Sequence, residues 1–146
     1  MYQAASPQAM LPHVLPECPY LRLLLFTMRR MAAGGLHDAH AAQAMLTGFG
    51  IGFRRPLVLL RAFMAEVARV ASTKLVVAPC CCGRMTADER ILLAAIGNAD
   101  AAPRAAHRAL AGLLGVRDCL GLLTSAKAVG EAFADLGMPL TGAGAD

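Results

Sequence analysis

The stretch Ala78-Pro79-Cys80-Cys81-Cys82-Gly83-Arg84-Met85-Thr86-Ala87-Asp88-Glu89 decides how this chain is read. Its second half, Thr86-Ala87-Asp88-Glu89, is a capping box. The Thr hydroxyl accepts from the backbone three residues on, and the Glu carboxylate reaches back to the Thr N–H. A helix therefore starts at Thr86, and the residues before it lie outside that helix. Pro79 holds Ala78 in an extended conformation, and Gly83 frees the chain to turn before Arg84. Cys80, Cys81 and Cys82 are thus placed in a short connection between an extended run, residues 74–78, and a helix. Three consecutive thiols there cannot all face one way. At least one is expected to be buried against the helices and at least one to be accessible.

Working outward, the rest of the chain reads as helices. Pro19 suits a first helical turn, and Leu21, Leu24, Leu25, Met28 and Met31 follow at helical spacing, with Arg22 and Arg29 on the opposite face. Gly34-Gly35 ends that helix. Asp38 is an N-cap for a second helix, over about residues 39–47, which Gly48, Gly50 and Gly52 break. Pro56 opens a third, running to about Ser72, with Leu57, Leu60, Met64, Val67 and Ala71 as its buried stripe. Beyond the capping box, Leu92, Leu93 and Ile96 mark a fourth helix. Asp100 and Pro103 announce a fifth, with Ala106, Leu110, Leu113 and Leu114 on one face. A sixth begins near Asp118, and Leu122, Ala126, Val129, Phe133 and Leu136 keep helical register through it. The expected fold is all-α: one bundle of about six helices, residues 19–139, with a short extended segment at 74–78. An extended or disordered arm, residues 1–18, precedes it, and a frayed C-terminus, residues 140–146, follows.

Composition bounds the function. In 146 residues, hydrophobic side chains make up 57% and charged ones 16%, against about 45–50% and about 25% in an average globular chain. So little polar material leaves apolar surface to be covered between copies, and a homo-oligomer, most simply a dimer, is expected. No run of ~18 uncharged apolar residues is present, and no basic residue precedes Arg22. Both point to a cytoplasmic protein. Five cysteines are an odd number and do not indicate a disulfide framework. The net charge is +4, and twelve of the fourteen basic residues are Arg.

The segments Arg54-Arg55-Pro56-Leu57-Val58-Leu59-Leu60-Arg61 and Ala78-Pro79-Cys80-Cys81-Cys82-Gly83-Arg84-Met85-Thr86 give the chain a resemblance. From about Pro19 to Pro139 it resembles a family of small alphaproteobacterial proteins, chiefly from sphingomonads, with no assigned activity. The resemblance implies a bacterial cytoplasmic protein. It carries no catalytic residue, cofactor or partner across.

Two clusters are candidate sites. In an extended chain Cys80 and Cys82 share a side, and such a pair can offer thiolates to Zn or Cu. A closed zinc site needs four ligands, and the others would have to come from Cys18, Cys119 or a histidine. Arg84 and the helix start at Thr86 both favour a thiolate. No catalytic residue is assigned, because the phosphatase spacing C-x5-R is not met: Arg84 stands four residues from Cys80. His37 and His40 read as a solvated helix end, and His13 and His107 as isolated. Arg54 and Arg55 stand at the positive end of a helix, where cations are disfavoured. An anion or a carboxylate is expected to meet them, and Arg84 is a third anion-binding candidate. Nucleic acid is disfavoured, because aromatic residues are only 5% and Trp is absent. The sequence thus favours a non-enzymatic interaction or regulatory protein. A thiol- or metal-responsive protein comes second, and an anion or nucleic-acid binder third.

Overall fold

The elements run in the order β1 (Tyr2–Ala4), β2 (His13–Val14), α1 (Pro19–Gly34), α2 (Ala39–Phe49), a 3-10 turn (Gly50–Phe53), α3 (Arg54–Val70), β3 (Leu75–Val77), β4 (Arg84–Met85), α4 (Ala87–Asn98), α5 (Pro103–Leu114) and α6 (Leu120–Asp135). They belong to a computed structural model, which describes residues 2–4 and 11–140. The fold is all-α. α3 packs chiefly on α6, α4 on α5, and α1 on α2. Leu24, Met45, Leu60, Ile96, Leu110 and Val129, one from each helix, lie in a single buried cluster.

The helical spacing of α1 is realised: Leu21, Leu24, Leu25, Met28 and Met31 are all buried. The one-sided reading of this helix needs a correction. Arg22 is exposed, but Arg29, expected beside it on the open face, is 3% exposed, and Thr27 is wholly buried. β4 and the start of α4 close over that flank, so α1 buries a second face at Arg29.

The link between α2 and α3 also differs from expectation. α2 continues to Phe49, Gly50 turns the chain at φ +67°, and the 3-10 turn leads directly into α3 at Arg54. Pro56 therefore sits inside the first turn of α3 rather than opening it. A proline is tolerated there because first-turn N–H groups have no partner within the helix. Asp38 caps α2, accepting the His40 N–H at 3.1 Å. Asp100 does not cap α5. Its chain is still turning off α4, with the Ala102 N–H on Asn98 O at 2.8 Å, and the cap position falls to Ala102. α6 starts at Leu120, with Asp118 Oδ1 accepting the Leu120 N–H. Leu136, expected to keep the register of this helix, lies past the end of α6 and is 39% exposed.

The extended run after α3 finds partners from the N-terminal arm. β1 pairs in parallel with β3, Tyr2 opposite Leu75 and Ala4 opposite Val77. β2 pairs antiparallel with β4, His13 opposite Met85 and Val14 opposite Arg84. The arm's residues 2–4 and 13–14 are thereby paired with the strands on either side of the cysteine connection, and its residues 1 and 5–10 lie outside the described residues. Of the C-terminal segment expected to fray, residues 141–146 lie outside the described residues, and Leu140 is buried.

α5 ends on Gly115 in the left-handed conformation, φ +69°. Ser72 closes over it, its hydroxyl donating to Leu114 O and Gly115 O, both at 2.9 Å. A Cβ at Gly115 would stand 2.5 Å from Ser72 Oγ, and left-handed geometry costs a side-chain-bearing residue about 1–2 kcal/mol. Gly115→Ala is expected to lose at least that much stability, read as a lowered urea midpoint at unchanged slope. An unchanged midpoint would show that this helix end relaxes freely.

Candidate functional site

The cysteine connection is a tight turn. The Cys82 N–H donates to Pro79 O at 3.1 Å, which puts Cys80 and Cys81 at the two central positions. Cys81 is exposed, and Cys80 and Cys82 are half-buried. An accessible thiol is present as the sequence reading requires, but none of the three is fully buried.

The turn is fastened from below by a buried ion pair. Arg29 Nε donates to Glu89 Oε2 at 2.7 Å and Arg29 Nη2 to Glu89 Oε1 at 3.0 Å, with both side chains 2% exposed. The same guanidinium donates to Cys82 O at 2.9 Å and to Arg84 O at 2.7 Å. Glu89 in turn accepts the Thr86 N–H at 2.8 Å, closing the capping box, and the Ala78 N–H at 3.3 Å. The Thr86 hydroxyl donates to Val76 O, and Asp88 accepts the Val76 N–H. The capping box is thus also the anchor of β3 and of the turn. No buried side-chain nitrogen or oxygen among the described residues lacks a partner. Buried charges persist when they are paired and hydrogen-bonded, and this pair satisfies that condition.

Beside it lies a second pair. Arg30 grips Asp38 with Nε and Nη2, the shortest contact being 2.8 Å. Hydrogen bonds first to Asp38 and then to Cys80 hold the Arg30 guanidinium above its ordinary pKa. Arg30, ahead of the His40 N–H, holds the Asp38 carboxyl below the usual carboxylate range. One guanidinium therefore grips the N-cap of α2 and feels the first thiol of the turn. Because the folded pKa of Asp38 is depressed, the stability it contributes is full above the unfolded value of about 3.9. It is lost as pH falls through the folded pKa. Asn caps a helix as well as Asp, so Asp38→Asn should keep the cap and flatten the acid limb of the stability profile. A limb as steep as in the parent protein would show that other carboxylates set it.

Cys119 is buried, with its N–H 3.2 Å from His107 Nε2. Burial first, then the neighbouring Asp118 charge, pushes its thiol pKa up. Alkylation of the folded protein should therefore label Cys81 first and Cys119 last. Peptide mapping over time reads the order, and uniform labelling of Cys80, Cys81 and Cys82 would contradict the turn geometry. Among the described residues, no group of three or more His, Cys, Asp or Glu side chains is placed to hold a metal ion.

The arginine candidates have separate surroundings. Arg55 donates to Asp135 Oδ2 at 2.7 Å, joining the first turn of α3 to the end of α6 on an open surface. Arg54 is exposed and has no ion-pair partner among the described residues. Arg84 donates from Nε to Leu11 O and from Nη2 to Pro12 O, both at 2.9 Å, and so holds the N-terminal arm.

A family model described as "Family of unknown function (DUF6628)" matches residues 6–138. The chain belongs to this family. No curated protein and no solved structure matches it. Among the described residues, no helix is long and apolar enough to cross a membrane.

Open clefts lie on the surface formed by the described residues. One, of about 580 Å³, runs between α1 and α2 over Tyr20, Leu23, Phe26, Ala44, Thr47 and Met138. Another, of about 350 Å³, lies between α5 and α6. Sequence reasoning missed the Arg29–Glu89 pair and the contacts of His107. Glu89 carried a signal, since a capping-box carboxylate has a second oxygen to offer. Arg29 carried none, because its place among the charged positions of α1 looks the same whether or not another element covers it.

Proposed function

We propose that the chain is a non-enzymatic interaction or regulatory protein of the bacterial cytoplasm that works as a homodimer. One observation carries this reading: Ile51, on the 3-10 turn between α2 and α3, is 99% exposed. Leu46 on the last turn of α2 is 40% exposed, and so is Leu136 at 39%, with its Cδ2 3.0 Å from where a Cβ on Gly52 would stand. Leaving a large apolar side chain wholly in water forgoes about 1.5–3 kcal/mol that burial would return. A second copy is the occupant this surface fits. Arg54, Arg55, Glu131 and Asp135, all exposed, put both charge signs around the apolar centre. Such a patch matches itself across a two-fold axis. The charge-poor composition makes the same demand from another side.

Sedimentation equilibrium at micromolar concentration tests the reading. The parent protein is expected to be a dimer and Ile51→Lys a monomer of unchanged helicity. A monomeric parent would end the proposal.

A second reading rests on the cysteine turn. An exposed thiol, Cys81, stands beside a half-buried one, Cys80, that helps to raise the Arg30 pKa. This suits a thiol-responsive protein in which modification reaches the N-cap of α2 through Arg30. Thiol titration with metal analysis, on protein purified under reducing conditions, distinguishes a free-thiol protein from one that carries Zn or Cu.

A further inference from the structure

Most arginines of this chain have partners. Arg29 meets Glu89, Arg30 Asp38, Arg55 Asp135 and Arg69 Glu66, while Arg22, Arg61 and Arg84 donate to backbone carbonyls. Arg104 and Arg108 differ from these, as Arg54 and Arg117 also do, but they alone of the four share one helix face beside a cleft. Both are exposed, neither has an acidic partner among the described residues, and they lie one turn apart on α5. Both border the cleft of about 350 Å³ between α5 and α6. Pro103, His107, Leu120 and Leu123 form the rest of its lining. Leu120 is 60% exposed, an apolar side chain left uncovered at the cleft edge.

We infer that this cleft binds a carboxylate-headed aliphatic chain, with Arg104 and Arg108 taking the carboxylate and Leu120, Leu123 and Pro103 taking the hydrocarbon. The volume is at the low end of the ~300–1,000 Å³ usual for small-ligand sites, which favours one short chain over a folded lipid. Charge complementarity sets the head group. Two guanidinium groups can each fork onto a carboxylate, and Arg104 in the first turn of α5 is disfavoured by the helix dipole until an anion approaches. Asp118, which contacts the cleft residues His107 and Leu120, is already engaged. It stands 3.2 Å from His107 Nε2 and accepts the Leu120 N–H at 3.1 Å. Among the described residues it forms no ion pair with either arginine. This inference does not depend on self-association, because Ile51 and the α2–α3 link lie on other elements.

Decanoate and decanol, compared on the full chain by amide chemical shifts and by thermal stability, test it. Decanoate is expected to perturb Arg104, His107, Leu120 and Leu123 and to raise the melting temperature. Decanol should bind at least about tenfold more weakly, since a charge-assisted contact is roughly twice as strong as a neutral one. The double variant Arg104→Ala with Arg108→Ala should bring decanoate down to the level of decanol. Both side chains are exposed, so the fold should survive, and Leu120→Ala provides a second variant that weakens both ligands. Equal binding of the two ligands would overturn the inference, as would an unchanged double variant. So would shifts confined to Tyr20 and Phe26 in the α1–α2 cleft, or adsorption to anionic vesicles without binding of monomeric decanoate.

Discussion

Glu89→Ala should lower the stability of the folded chain by about 3–5 kcal/mol, the usual cost of breaking a buried ion pair from one side. The reason is what remains. Arg29 would keep its charge at 2% exposure with no counter-ion, and the Thr86 and Ala78 N–H groups would lose their acceptor. Against a typical total of about 5–15 kcal/mol, that loss brings the variant close to unfolding. Glu89→Gln should fall between, since one amide oxygen can still cap Thr86 while the NH2 group faces the guanidinium. Urea denaturation reads the effect as a shift in midpoint at constant slope. A loss under about 1 kcal/mol would mean that water reaches Arg29 once the carboxylate is gone. The same variant should speed the alkylation of Cys80 and Cys82, because Arg29 holds Cys82 O and Arg84 O and loses its own anchor.

How much of this was legible beforehand follows from the kind of signal each residue carries. The start of α4 was readable because Thr86 and Glu89 act on backbone within three residues of themselves. The buried stripes of α1 and α4 were readable because helical spacing is a local property, and so were those of α3 and α5 except at Ala71, which lies past the end of α3, and Leu113, both half-buried. Leu136 broke the pattern in α6: it keeps the spacing but comes after the helix has ended, where register no longer fixes direction. Arg29 failed for a different reason. Periodicity identifies the face a helix buries first, and it is silent on a second cover supplied from sixty residues away. The glycines at 48, 50 and 52 suggest a break, yet of the three only Gly50 adopts a positive φ, and the chain around it stays helical. At the candidate site, the turn at Cys80 to Cys82 followed from Pro79, Gly83 and the capping box. That Arg30 would grip Asp38 and feel Cys80 together depends on how α1 lies over the turn, which no local pattern encodes.

Phe133→Ala is expected to cost about 3–5 kcal/mol, the range for removing a large aromatic side chain from a closed core. Phe133 is wholly buried on α6, and its ring meets Phe49 edge-on at 4.9 Å, with an interplanar angle of 85°. Edge-to-face pairs contribute about 0.5–1.5 kcal/mol beyond the area they bury, so the loss has two parts, cavity and ring contact. Phe133→Leu separates them, because it fills most of the volume and removes only the ring. It should cost clearly less than the alanine variant. The position matters for function as well as stability. Phe49 is the last residue of α2, immediately before the 3-10 turn that presents Ile51. Without Phe133 behind it, that turn loses its support from α6, and the apolar surface proposed to join two copies is held less firmly. In sedimentation runs at temperatures where Phe133→Ala is still folded, its dimer should dissociate at lower dilution than that of the parent. An alanine variant that loses stability but dimerises as tightly as the parent would place the interface elsewhere on the bundle.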